Sequence, residues 1–272
     1  MAESWSFSKL GDFEKCKKYF WLKHEQKVPE PERPLPPGRT EHANDRGSRI
    51  HDCAEHFVDG SGSFIPELKK FQPEFEQLRH LHTLGKVSLE GEWGMSRDWE
   101  TCGWNGDWEV VDAKTVPTGT VKKLPERGST GDVLKIGKII YEWVPSWHRC
   151  KLDALVFISD TEAVVIDYKT GRKFGNEVKH AQQLQLYQLN TFLRYPELEV
   201  VHAELWYTDQ DDITTATYTR DQGLRFKRTF DRRGSELTRN TDWPANPNVF
   251  SCKWCGYGPW GTNDCPKGVR AP

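Results

Sequence analysis

The first third of the chain carries its apolar side chains at helical spacing. The positions that follow this spacing are Leu10, Phe13, Cys16, Lys17, Phe20 and Trp21. They predict one helix from Ser8 to Lys27, followed by a proline-rich link from Pro29 to Pro37. Two more helices are predicted, from about Glu41 to Val58 and from about Pro66 to Leu84, the second with a kink at Pro73.

From Val87 to Lys169 short apolar runs typical of strands replace the helical spacing. Within them, Thr115 to Gly131 is rich in Pro, Gly, Thr and Lys and is predicted to be an exposed loop. The later predicted elements are a helix from Glu177 to Leu193 ended by Pro196, strands near Val200–Tyr207 and Ile213–Thr219, and a basic amphipathic helix from about Gly223 to Arg239. This order predicts an α/β fold with a central mixed β-sheet flanked by helices.

Two neighbouring apolar strands carry charges where a buried hairpin should have none. Asp153 lies in the first strand, and Asp167 and Lys169 share one face of the second because side chains alternate along a strand. The two aspartates are symmetric about Asp160, so an odd-length loop there would place them directly opposite each other. Their mutual repulsion would then favour a bound divalent cation, and the lysine could orient a water or stabilise charge on a phosphate.

A simpler interpretation is that these are solvent-facing charges at strand ends, which is the usual situation for a lone Asp-x-Lys. The apolar context argues against it here. Asp153 is followed by further apolar strand, and Asp167 follows four apolar residues. A metal site on the hairpin is therefore the working hypothesis.

Composition fits one large domain, or one domain with appendages, in 272 residues. Hydrophobic content is only 36%, and the 12 tryptophans can supply large core or base-stacking side chains. The net charge of −2 leaves room for a local basic groove. No apolar run is long enough to span a membrane and no signal segment opens the chain, so an intracellular, cytoplasmic location is predicted.

The C-terminal tail holds three of the seven cysteines at a spacing typical of metal ligands. Cys252 and Cys255 form a Cys-x2-Cys pair, and Cys265 follows. A fourth ligand must come from elsewhere, and Cys16 is the best candidate. Three alternatives stay open: an iron–sulfur cluster, Zn²⁺ bound by the same thiolates, and free thiols.

Two predicted helices each present a pair of polar side chains on one face. His51 and Glu55 are four residues apart, as are Gln183 and Tyr187. An imidazole can complete a metal shell, and the second pair could reach a nucleotide or Lys169. Each pair alone is more typical of an ordinary amphipathic helix or of surface and core-rim residues.

Together these motifs resemble the RecB-type branch of the PD-(D/E)-x-K nuclease superfamily. The motifs are, in chain order, Gly47, His51 and Glu55, then Asp153, then Asp167-Tyr168-Lys169-Thr170-Gly171, then Gln183 and Tyr187. The resemblance implies a restriction-endonuclease-like fold and metal-dependent cleavage of DNA. It implies that Asp153, Asp167, His51 and the Tyr168 carbonyl hold Mg²⁺ or Mn²⁺ and that Lys169 positions the attacking water. Gln183 and Tyr187 would complete the site.

The cysteines are similar to the iron–sulfur staple of the helicase–nuclease AddB and of CRISPR-adaptation exonucleases. By this resemblance a [4Fe-4S] cluster on Cys16, Cys252, Cys255 and Cys265 would tie the chain ends together. The expected organisation is an N-terminal helical segment (1–40), a nuclease core (41–240) and a cysteine-rich C-terminal segment (241–272).

The expected activity is that of a DNA exonuclease in recombination, repair or end processing, for example in a phage. The chain contains no Gly-x4-Gly-Lys-Ser/Thr helicase motif. A recombination or single-strand-binding protein is a candidate partner. The alternatives are a CRISPR-adaptation-type trimming nuclease, a site-specific endonuclease and a non-catalytic DNA-binding iron–sulfur subunit. Glu92 is a further candidate site residue, and local basic clusters are candidate phosphate contacts: Lys17, Lys18, Lys122, Lys123, Arg172, Lys173, Lys179, Arg225, Lys227, Arg228, Arg232 and Arg233.

Overall fold

A computed structural model of the chain describes residues 3–32, 34–35, 37–113, 125, 128–129, 131–136, 139–171 and 173–270. Most of the predicted loop from Thr115 to Gly131 lies outside these residues, as do Lys122, Lys123 and Arg172.

The helices of the described residues lie at the predicted positions, except for a short one in the C-terminal tail where none was predicted, and they are divided more finely. They are α1 (Phe7–Lys15), α2 (Lys17–Phe20), a π-helical turn (Trp21–Glu25), α3 (Ala43–Asp59), a 3-10 helix (Pro66–Phe71), α4 (Gln72–Thr83), α5 (Glu177–Arg194), α6 (Arg220–Leu224), α7 (Phe226–Thr238) and α8 (Val249–Lys253). None of these helices is both long and apolar enough to cross a membrane.

Six of the strands form one mixed sheet, and the other three form a separate antiparallel sheet. The strands are β1 (Val87–Met95), β2 (Thr101–Cys102), β3 (Gly106–Ala113), β4 (Val133–Ile136), β5 (Ile139–Pro145), β6 (His148–Phe157), β7 (Glu162–Lys169), β8 (Val200–Tyr207) and β9 (Asp212–Thr219). The large sheet has the order β2-β1-β6-β7-β8-β9, and the small one β3-β5-β4. In the large sheet β7 and β8 are parallel, which requires the crossover that α5 provides.

Helices cover both faces of the large sheet, as predicted. On one face, Ile50 and Phe57 of α3 and Phe75 of α4 pack against β6 to β8. On the other face, Tyr187 and Phe192 of α5 lie against the same strands. The strands between these layers are buried on both sides, so they carry near-continuous apolar runs.

The predicted first helix is wrong in one respect, because it breaks at Cys16. This residue has extended backbone angles, φ −164° and ψ 110°. The break brings the chain beside the C-terminal segment, where Lys18 N–H donates to the Pro244 carbonyl at 3.2 Å. The Asn246 N–H donates to Cys16 Sγ at 3.4 Å. Contacts with a segment 230 residues away therefore override the local helical spacing.

Proline also starts a helix where a kink was predicted. Pro73 occupies the first turn of α4, directly after the 3-10 helix that begins with Pro66. A proline lacks the N–H that a helix interior needs, but the first turn has no use for that N–H. Two helices therefore replace the single kinked one.

Candidate active site

The hairpin of β6 and β7 has the register that the two aspartates require. Phe157 pairs with Ala163 and Ala154 pairs with Ile166, which leaves five residues in the connection. The predicted odd-length loop is confirmed. Continuing the same register by one residue brings Asp153 opposite Asp167, at the end where the paired strands separate.

Asp153 links the hairpin to helix α3. Its Oδ1 lies 2.9 Å from Nδ1 of His51. Its Oδ2 accepts the backbone N–H of Tyr168 at 2.6 Å. The carboxylate thus takes a backbone donor that would otherwise serve the strand ladder, and this fixes its position between the two strands.

On the face of the sheet covered by α5, Asp167 and Lys169 lie beside Gln183, and Gln183 contacts Tyr187. The Lys169 ammonium contacts Asp167 Oδ2 and donates to Gln183 Oε1 at 2.9 Å. Gln183 Nε2 donates to the Tyr187 hydroxyl at 2.6 Å and lies 3.5 Å from Asp167 Oδ1. The predicted i, i+4 pair on α5 therefore holds the lysine and the acid together.

Burial governs the electrostatics of this cluster. Asp167 is only 4% exposed. Burial raises its pKa, the Lys169 ammonium opposes that rise, and the nearby Asp153 charge adds to it. For His51, burial acts to lower the pKa, but the hydrogen bond and charge of Asp153 outweigh burial, so its pKa lies above the ordinary value. Two buried carboxylates share the positive charge of one lysine and a neighbouring imidazole, an arrangement that a divalent cation would stabilise.

The carboxylate, carbonyl and imidazole groups at this site are chemically suitable ligands for a hard divalent cation. Asp167 Oδ2 is buried and accepts no hydrogen bond of normal geometry from a described residue. The Tyr168 ring packs against Phe75 and Trp206 in the core, so only the backbone carbonyl of Tyr168 can serve as a ligand. In the described part of the chain no three His, Cys, Asp or Glu side chains converge closely enough to hold a metal ion by themselves. The assignment of metal ligands therefore stays a prediction; the residues concerned are His51, Asp153, Asp167 and Tyr168.

Glu90 lies beside Asp153 in the sheet and is a candidate site residue that the sequence did not single out. Leu89 pairs with Ala154 and Gly91 with Leu152, so Glu90 stands opposite Asp153. Its backbone is left-handed (φ 45°), which is uncommon outside glycine and often found at functional sites. Its carboxylate contacts the Lys151 ammonium. The sequence singled out Glu92 instead, which is exposed. The hydrophobic pattern of a sequence does not reveal a positive φ at a glutamate.

The four predicted cysteine ligands line one small cavity. Cys16, Cys252, Cys255 and Cys265 surround a space of about 30 Å³ at the junction of the chain ends. Burial raises the pKa of the Cys255 thiol, and the charges of the other three thiols add to that rise. The donors therefore suit a thiophilic metal or cluster, although their arrangement does not hold one on its own.

The remaining cysteines lie elsewhere. Cys102 and Cys150 are buried, and burial raises the pKa of each thiol to about 12. They behave as small apolar core residues.

A family model described as the PD-(D/E)XK nuclease superfamily matches residues 4–260. The chain belongs to this superfamily. The match spans the acidic hairpin, α3, α5 and the first two cysteines of the tail, and it indicates a metal-dependent nuclease whose substrate is DNA.

Other comparisons add little to this assignment. One similar solved structure, "Crystal structure of SSO0001", is 14% identical over 99% of this chain and 88% of its own, with a TM-score of 0.44. That likeness is too low to support an argument. No curated protein matches the chain significantly.

Proposed function

We propose that this superfamily member is an exonuclease that hydrolyses DNA from an end, in recombination, repair or end processing. The observation that carries the proposal is the meeting of Asp153, Asp167 and Lys169 at the open end of the β6–β7 hairpin. At this site Mg²⁺ or Mn²⁺ would be held by Asp153, Asp167, His51 and the Tyr168 carbonyl. When bound, this cation supplies an activated water and neutralises charge on the phosphate.

Lys169 is proposed to orient the attacking water or a phosphate oxygen. Its ammonium is held from two sides, by Asp167 and by Gln183 Oε1 at 2.9 Å. Gln183 is in turn fixed by Tyr187. A donor held in place before the reaction stabilises developing charge without the cost of reorganisation.

We further propose that the four cysteines bind a [4Fe-4S] cluster that joins the N-terminal segment (1–40) and the C-terminal segment (241–272) to the core (41–240). Support comes from their shared cavity and from the helix break that places Cys16 there. Zn²⁺ is the second candidate. Iron, sulfide and zinc analysis of anaerobically purified protein, together with its visible absorbance, distinguishes the two.

The proposed activity is tested with end-labelled linear single- and double-stranded DNA beside closed circles, each with Mg²⁺, Mn²⁺ or a chelator. We expect linear DNA to be degraded from its ends only with metal and circles to stay intact. The label position gives the polarity and, with both substrates, the strand preference.

The alternatives predict other results in the same assay. A site-specific endonuclease cuts the circles. A trimming nuclease of the CRISPR-adaptation type stops at defined lengths and copurifies with an integrase. A non-catalytic iron–sulfur subunit binds DNA and cuts nothing under any metal condition, which would contradict the proposed function.

A further inference from the structure

A cavity of about 380 Å³ opens beside Lys169, and neither Asp153 nor Asp167 lines it. One end is lined by Lys169, Gln183 and Tyr187. The walls beyond them come from β6, from the first turns of α5 and α1, and from Trp104 in the segment before β3. Its volume lies near the lower end of the range for small-ligand pockets, roughly 300–1,000 Å³.

The described lining of this cavity carries several cations and no carboxylate. Besides Lys169 it includes Arg149, Lys151 and Lys179. Lys179 forms no ion pair with any described residue and stands on the exposed first turn of α5. Lys151 and Lys169 are paired with Glu90 and Asp167, which lie outside the lining, whereas the charge of Lys179 remains available to attract an anion.

Two neutral side chains are hydrogen-bond partners of Arg149. Its Nε donates to the Ser146 hydroxyl at 3.0 Å, and its Nη2 lies 3.4 Å from Asn105 Oδ1. Another cation and a carboxylate are near, because burial and then the charge of Arg149 lower the pKa of Lys9, while the charge of Glu25 opposes that fall. A guanidinium held in one orientation beside a like charge is suited to a phosphate, which it can bind with two parallel hydrogen bonds.

Trp104 adds an aromatic surface to this basic wall. Its ring is half-buried, and its backbone carbonyl accepts the Ser146 hydroxyl at 2.7 Å. The Arg149 guanidinium lies 5.5 Å from the ring centre. Ser146 therefore fixes both members of the pair. An aromatic ring next to phosphate-binding cations is the usual arrangement for an unpaired nucleotide, whose base stacks while its phosphate is neutralised.

We propose that this cavity binds one unpaired nucleotide adjacent to the scissile phosphate, with Arg149 and Lys179 as phosphate ligands and Trp104 as the stacking surface for the base. The proposal rests on the nuclease function above for its substrate class. A cavity of about 380 Å³ suits one nucleotide, which a single strand or a frayed end would supply. Stacking tolerates any base, so sequence preference is weak.

Binding is tested without catalysis, in a Lys169→Ala background and in a chelator, by fluorescence anisotropy of labelled single-stranded oligonucleotides over a salt series. We expect Trp104→Ala to weaken binding about 5- to 100-fold and Trp104→Phe to restore most of it. Arg149→Gln should lower the slope of log affinity against log salt by about 0.7. The matched control is Arg79→Gln, an exposed arginine of α4 on the opposite face of the sheet.

An abasic scan locates the nucleotide. A single abasic site is placed at each position of the oligonucleotide in turn. Binding of each oligonucleotide is measured to the protein with Trp104 and to the Trp104→Ala variant. At one position the two losses should not add, because both remove the same stacking contact. Additive losses at every position, or an Arg149→Gln protein that binds like Arg79→Gln, overturn the proposal. Circular dichroism and thermal melting identify variants that fail to fold, and Trp104→Phe keeps the test decisive if Trp104→Ala is among them.

The two proposals fail separately. If the wild-type protein cuts no DNA but the abasic scan still finds one position where the losses do not add, the proposed nucleotide-binding cavity is supported and the proposed exonuclease activity is wrong. If linear DNA is degraded and the cavity variants bind and cut like Arg79→Gln, the exonuclease stands and the cavity is wrong.

Discussion

The acidic hairpin and the cysteine cavity are both clusters of reactive side chains, but among the described residues the carboxylates of the first have more hydrogen-bonding and ionic partners than the thiols of the second. Asp153 has an imidazole and a backbone N–H as partners, and Asp167 has Lys169. The cysteine cavity has one described hydrogen bond to sulfur, from Asn246 N–H to Cys16. Contacts of the described residues thus fix the acidic side chains directly, whereas in our proposal a bound metal or cluster fixes the four thiols.

The elements behind each cluster explain this difference. The acids lie on two strands that are packed between α3, α4 and α5. The three tail cysteines lie on or after α8, a five-residue helix beside the exposed aromatic rings of Phe250 and Trp254. A short helix without a core of its own gains little stability from local structure. We expect the two regions to respond differently to mutation, metal and pH.

The largest effect is expected at the acidic site. Lys169→Ala should lower the rate of cleavage by roughly 10²- to 10⁴-fold, since it removes a positioned proton donor. DNA affinity should change little, because the carboxylates and the basic cavity remain. Single-turnover cleavage and anisotropy measure the two quantities.

Lys86→Ala is the control for this variant, since Lys86 is an exposed lysine directly before β1. It should keep the wild-type rate. A fully active Lys169→Ala enzyme would end the assignment of this hairpin as the catalytic centre.

The cysteine cavity should show the opposite pattern. Cys255→Ser is expected to lower bound iron or zinc to background and to make the tail sensitive to protease. The melting temperature should fall by roughly 5 °C or more, because a bound group stabilises only the folded segment. Metal analysis and limited proteolysis check this.

Cys53→Ser should match the wild type, because Cys53 lies on α3 away from the cavity. If Cys255→Ser leaves both the metal content and the protease sensitivity of the tail unchanged, the cysteine region does not depend on a bound group. The acidic site and the cysteine cavity then do not differ in the expected way.

Much of the acidic site could be predicted from the sequence, because strand periodicity and the symmetric position of Asp153 and Asp167 fix a register. The i, i+4 pairs on α3 and α5 follow from helix geometry in the same way. Contacts between distant segments could not be predicted. The break at Cys16 depends on residues 244–246, and the role of Glu90 depends on a positive φ opposite Asp153. Arg149 and Trp104 meet through Ser146, and no local pattern marks that contact.

A change in pH should act on the sheet through His148. This histidine is fully buried, stacks on Trp5, and accepts from or donates to Asn190 at 3.0 Å. Burial lowers its pKa to about 3, against about 6.5 in the unfolded chain. The unfolded state therefore binds more protons below pH 6.5, and stability is lost as the pH falls through that window. The loss between pH 7 and pH 5 should be about 2 kcal/mol.

Denaturant unfolding at several pH values measures this loss. His148→Gln keeps a polar partner for Asn190 but cannot titrate, so its stability should depend less on pH by the same amount. An equal pH dependence in the two proteins would mean that His148 can be protonated in the folded state.

The smallest expected effect concerns how the acidic site keeps its lysine in place. Gln183→Ala removes the acceptor at 2.9 Å from Lys169 and leaves Asp167 as its partner. The loss of one hydrogen bond to a charged group costs about 1.5 kcal/mol, so kcat should fall roughly 10-fold with KM little changed. Gln183→Glu restores an acceptor and should recover part of the rate. Gln182→Ala, on the neighbouring position of α5, should behave like the wild type. If Gln183→Ala raises KM and leaves kcat intact, Gln183 binds DNA instead of positioning the lysine, and the acidic site is less self-contained than its contacts indicate.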